Sequence, residues 1–176
     1  MPLRRRKSYD ESTLYEYAVG ALARKMRSVA ELKRLLRQRL PAGEAGETLV
    51  ELVIARLKEQ KYLNDSAYAA AYSSYRKENQ SFGRLRVVSD LKAKGVHGDV
   101  ISKAVGAAYA GENEEKLARE FLRHKRIKKP ADTKDAARIF RALIRAGYAS
   151  RTIIRILKQW EVEDEVLTAL ESEANS

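Results

Sequence analysis

Val87-Val88-Ser89-Asp90-Leu91-Lys92-Ala93-Lys94-Gly95-Val96 is the stretch on which the fold turns. Val87 and Leu91 stand four positions apart and so share one face of a helix. Gly95, four positions further on, can take the left-handed conformation that closes a helix, and Val96 can then pack back over the last turn. The spacing recurs as Ile139, Leu143 and Gly147-Tyr148. It appears again as Leu32, Leu36 and Leu40-Pro41, where proline does the stopping. Leu36, Leu91 and Leu143 lie 55 and 52 residues apart. A near-constant period of this size predicts one supersecondary unit used three times.

Each middle helix has a predicted neighbour on either side. Leu14, Ala18, Ala21 and Leu22 stripe a helix before the first, and Leu49, Val53, Ile54 and Leu57 one after it. Tyr68, Ala71, Tyr72 and Tyr75 precede the second middle helix; Val100, Ile101 and Val105 follow it. Leu117, Phe121 and Leu122 precede the third, and Ile153, Ile154, Leu157 and Trp160 follow it. The expected fold is therefore all-α, an elongated array of three tandem three-helix repeats: nine helices and no strand. The units run 11–63, 64–111 and 112–160, between a basic N-terminal tail (1–10) and an acidic C-terminal segment (161–176). Asp65 with Asn64, Asp99 and Ser150 read as N-caps. The Tyr68, Tyr72 and Tyr75 stripe reads as core, Trp160 as a terminal core anchor, and Tyr62 and Leu63 as the join between the first two units.

Composition removes several classes of function. The 176 residues contain no cysteine, which excludes disulfides and thiolate chemistry. His97 and His124, the two histidines, have no third partner in sequence for a metal site or a catalytic triad. No glycine-rich phosphate loop and no carboxylate pair suited to acid–base work is present, so neither an enzyme nor a cofactor is expected. No apolar run is long enough for a membrane span, and the start of the chain lacks the apolar stretch of a signal peptide, so a cytoplasmic location is expected. The net charge is +11, unevenly spread: residues 112–160 hold 14 basic and 6 acidic side chains, whereas 161–176 hold six acidic and no basic ones. Such a body points to a polyanionic partner.

Certain stretches resemble a known family. Arg27-Ser28-Val29-Ala30-Glu31-Leu32 is similar to the opening of the first middle helix in the RecX family. Lys61-Tyr62-Leu63-Asn64-Asp65-Ser66-Ala67-Tyr68-Ala69 resembles the family's entry into its second unit. Ser81-Phe82-Gly83-Arg84-Leu85-Arg86, followed by Leu91-Lys92-Ala93-Lys94-Gly95-Val96, resembles its central motif, and Leu143-Ile144-Arg145-Ala146-Gly147-Tyr148 matches more loosely. The resemblance covers about residues 14–160 and omits the acidic stretch from Glu161. It implies three tandem three-helix repeats that bind in the groove of the RecA–DNA filament. It also implies a regulator, mainly an inhibitor, of RecA's ATPase, strand-exchange and co-protease activities in recombination and the SOS response. An architectural or transcriptional protein that binds DNA directly is the alternative, since three-helix units can resemble helix-turn-helix modules.

The candidate contact residues are cations on these helices. Arg84 and Arg86 flank Leu85 just after Gly83, and a guanidinium suits carboxylate and phosphate alike. Lys33, Arg34 and Arg37 lie opposite Leu32 and Leu36, where an ordinary solvated face is the competing reading. Arg138, Arg141 and Arg145 form one basic edge of the third unit; Arg151 and Arg155, with Lys158, form another. Arg123-His124-Lys125-Arg126-Ile127-Lys128-Lys129 is a dense basic run between them. Arg27, Lys92 and Lys94, inside the family-like stretches, complete the set. The expected partners are the RecA filament and, as a second candidate, single- or double-stranded DNA, with the chain itself a monomer.

Overall fold

Helix ends define this architecture. Ser28, Asn64, Asn113 and Asp132 each turn a side-chain oxygen onto a backbone N–H three residues on, at 2.8–3.1 Å. One otherwise orphaned donor is thereby satisfied at the start of each helix. The structure, a computed structural model, describes residues 9–174. They form ten helices: α1 (Glu11–Arg24), α2 (Val29–Arg37), α3 (Glu44–Glu59), α4 (Asp65–Gln80), α5 (Arg84–Ala93), α6 (Gly98–Ala108), α7 (Glu114–His124), α8 (Thr133–Arg145), α9 (Ser150–Gln159) and α10 (Asp164–Ala174). No strand occurs among the described residues. Arg4-Arg5-Arg6-Lys7, in the basic tail, lies outside them.

The closing geometry read around Gly95 is present and more general than expected. Val96 N–H donates to the Leu91 carbonyl at 3.1 Å, and Tyr148 N–H to the Leu143 carbonyl at 3.1 Å. The same bond runs from Tyr62 to Leu57, Ile127 to Leu122 and Val162 to Leu157, at 2.8–3.2 Å. There the left-handed residue is Lys61, Arg126 or Glu161 instead of glycine. In each case the residue after the turn reaches back over the helix end, as in a Schellman closure.

Three apolar clusters follow the three units. Leu14, Leu32, Leu36, Val53 and Leu57 bury the seam of α1–α3. Tyr68, Val87, Leu91, Ile101 and Val105 do so for α4–α6. Leu117, Phe121, Ile139, Leu143, Ile153 and Leu157 do so for α7–α9. The tenth helix was absent from the sequence reading: Leu167 and Leu170 of α10 join the third cluster, so the acidic segment folds as a helix against α8 and α9. The strongest helix-on-helix packing falls within the units, as in an extended array of stacked modules.

The units meet end to end. The N-terminus of α5 abuts the C-terminus of α8: Gly83 N–H donates to the Ala146 carbonyl at 2.8 Å and Leu85 N–H to the Gly147 carbonyl at 3.2 Å. The Tyr148 hydroxyl donates to the Ser81 carbonyl. A methyl group at Gly83 would overlap the Gly147 carbonyl, and one at Gly147 would overlap Arg86. Only glycine permits this approach. In the same way the N-terminus of α2 abuts the C-terminus of α5, where the Ser28 hydroxyl donates to the Lys94 carbonyl at 2.6 Å. Each junction sets the positive end of one helix dipole against the negative end of another, which is favourable.

Several local expectations are corrected. The N-caps of α6 and α9 are His97 and Ala149, one or two residues before Asp99 and Ser150. Glu114 of α7 supplies the missing oxygen for α9, accepting from Ala149 N–H at 3.2 Å and from the Thr152 hydroxyl. Asn64 caps α4, which frees Asp65 to accept Val29 N–H from α2 at 2.8 Å. Helix α2 stops at Arg37, ahead of Pro41, through a tight turn from Gln38 to Leu40. Tyr68 is buried as expected, but Tyr75 is 56% exposed. At the first join only Leu63 is buried; Tyr62 is 61% exposed.

Candidate functional site

The middle helices α2, α5 and α8 form an end-to-end spine, and most of the candidate cations stand on it. Their apolar sides face the three cores, so their other sides carry charge. Four sequence-identified cations there, Arg34, Arg84, Lys92 and Arg145, are exposed and have no carboxylate within ion-pair distance among the described residues. Arg151, at the start of α9, is in the same condition.

Other candidates are already engaged. Arg37 grips Glu47 through Nε and Nη2, with contacts of 2.8–3.0 Å. Lys33 pairs with Glu51 at 2.6 Å, and Arg138 with Asp135 at 2.8 Å. Arg141 meets Glu173 of α10 at 3.1 Å, and Arg155 stands 3.7 Å from Glu115. These pairs are exposed, so solvent screens them and each holds only weakly; a stronger anion can displace them.

Arg86 and Lys94 belong to the junctions. Arg86 pairs with Asp90 at 3.0 Å, donates to the Arg145 carbonyl at 3.1 Å and lies over the Phe82 ring. Lys94 pairs with Glu31 at 3.0 Å and faces the Tyr72 ring. Arg27 is half-buried beside the first junction, and its Nε is buried without an acceptor. Burial works to raise the Glu31 carboxyl, but the Ser28 N–H and the Lys94 ammonium outweigh it and hold Glu31 below its ordinary range. Burial pushes the Tyr148 and Tyr109 hydroxyls up, so both stay protonated as junction donors.

Several concavities lie along the array. A shallow groove of about 560 Å³ runs between α4 and α6, floored by Ala70, Ser74, Val100 and Ala104. A second, of about 360 Å³, opens at the α8–α5 junction between Arg86, Lys125 and Arg145. Lys125 entered the sequence reading only as part of a basic run; its convergence with Arg86 and Arg145 comes from the junction and has no local signature. The partners Glu47, Asp65, Glu114 and Glu173 were missed for the same reason. No group of three or more potential metal ligands occurs among the described residues, and no helix among them is long and apolar enough to cross a membrane.

The chain is similar in sequence and fold to known proteins. Residues 64–105 match the family model described as RecX, second three-helix domain. The chain is 33% identical over 141 residues to the regulatory protein RecX of Leptothrix cholodnii, covering 80% of this chain and 85% of that protein. It is 29% identical over 163 residues to the regulatory protein RecX of Bacillus subtilis, covering 90% of this chain but only 59% of the longer relative. The crystal structure of RecX from Lactobacillus salivarius superposes with a TM-score of 0.65 at 18% identity, over 86% of this chain and 96% of that one. A second crystal structure of regulatory protein RecX gives 0.70 at 19% identity, over 85% and 73%. The repeated helix closures, the three-unit array and the extent of the Leptothrix match lead to one assignment: this chain belongs to the RecX family.

Proposed function

We propose that the chain is a non-enzymatic regulator that docks on the RecA recombinase filament in the cytoplasm as a monomer. Its modules span residues 11–63, 64–111 and 112–160. The carrying observation is the spine of middle helices, whose Arg34, Arg84, Lys92 and Arg145, without a carboxylate partner among the described residues, recur along an extended array. A repeating positive edge is complementary to a repeating negative polymer, and it would speed association and make affinity sensitive to salt. A rigid array that spans neighbouring protomers would hinder the subunit movements that ATP hydrolysis and strand exchange require. This predicts restraint of ATPase, strand-exchange and co-protease activities.

The test is titration of the purified protein into a single-stranded-DNA-dependent RecA ATPase assay. The expected result is a falling rate that recovers with added salt. No change at micromolar protein, with filaments intact, overturns the reading. The net charge of +11 also favours direct DNA binding; tight, sequence-selective retention of duplex DNA without RecA in a gel-shift assay would make that second reading the better one.

A further inference from the structure

We infer that the concavity at the α8–α5 junction, with the adjoining face of α8, is a docking site for an acidic protein segment that carries an apolar side chain. The inference rests on the reading above, in which the partner is a protein filament. Three cations converge there, Arg86, Lys125 and Arg145, and no carboxylate lines the space. Arg86 is held by Asp90 and the Arg145 carbonyl, so it serves as a fixed wall. Lys125 and Arg145 are exposed and have no carboxylate partner among the described residues, which leaves both free to receive one. The floor between them is apolar, made by Phe82, Phe121 and Ile127. A bare phosphate satisfies the cations but leaves that floor wet. A carboxylate beside a leucine or phenylalanine satisfies both.

The chain shows the same chemistry on itself one turn away. Glu173 of α10 reaches Arg141 at 3.1 Å in a shallow cavity bounded by Phe140, Ile144 and Arg145. Arg145 borders both cavities. An acidic helix thus already occupies the outer half of this face, and Ile144 remains partly exposed beside it. A partner segment would extend the arrangement inward to Lys125 and compete with Glu173 for Arg141.

The test is fluorescence anisotropy on the full chain with two probes: a labelled glutamate-rich peptide containing one leucine and one phenylalanine, and labelled oligothymidylate. Lys125→Glu with Arg145→Glu should weaken peptide binding by about tenfold or more, with a smaller effect on the oligonucleotide. Glu173→Gln should tighten peptide binding severalfold. Thermal melting checks folding, and Lys125→Ala with Arg145→Ala serves as the milder pair. Unchanged peptide affinity in both pairs overturns the inference. So does loss of the oligonucleotide alone, which would mark a nucleic-acid site. The ATPase titration reads separately. Wild-type protein that binds the peptide yet leaves hydrolysis untouched overturns the filament reading and leaves the docking site standing; slowed hydrolysis without peptide binding does the reverse.

Discussion

Gly83 and Gly147 are 64 positions apart in sequence and in backbone contact in the fold. Gly147 is left-handed, at φ 92°, and was legible as a helix stop. Gly83 was legible only as part of a family-like stretch, because the reason for it lies on another unit. Gly83→Ala and Gly147→Ala should each lower unfolding free energy by about 2 kcal/mol or more in urea titration, through overlap that backbone cannot relieve. Gly106, inside α6, has open space around its Cα. Gly106→Ala should instead raise stability by about 0.5–1 kcal/mol, which makes it the internal control. Arg86, a candidate contact in the sequence, also stands in the wall of that junction.

Among the elements, the nine helices of the three units were readable in the sequence, whereas several of their closures and the tenth helix were not. An i, i+4 apolar pair followed by glycine announces itself locally. Closures at Lys61, Arg126 and Glu161 do not, since nothing in those side chains favours a positive φ. Helix α10 was hidden because its acidic surface dominates Leu167 and Leu170. The start of α2 offers two tests. Ser28 is buried, caps its own helix and donates to Lys94, so Ser28→Ala should cost about 1–3 kcal/mol by chemical denaturation. Glu31 has its carboxyl held below the ordinary value of 4.5 in the folded chain. Its contribution is therefore complete above that value and is lost as pH falls through the lower folded one. Urea midpoints from roughly pH 3 to pH 6 should fall less steeply in Glu31→Gln than in the parent.

For the whole molecule, three separate apolar clusters joined through narrow junctions make stability a sum of units and interfaces. Leu143→Ala, in the third cluster, should cost about 2–5 kcal/mol. Paired with Gly83→Ala, which loosens the adjoining junction, it should split a single denaturation transition into two when followed by circular dichroism and by Trp160 fluorescence. A single shared transition would show that the junctions couple the units more tightly than their contact implies.

The spine runs against the direction of synthesis. The amide donors of Gly83 and Leu85 wait for carbonyls at Ala146 and Gly147, and the hydroxyl of Ser28 waits for the carbonyl of Lys94. On the ribosome, the first and second units therefore each emerge with a socket that only the next can fill. The nascent chain should lock junction by junction as each following unit emerges, and a stalled intermediate lacking the third unit should be more readily digested by protease around residues 81–86 than the released protein.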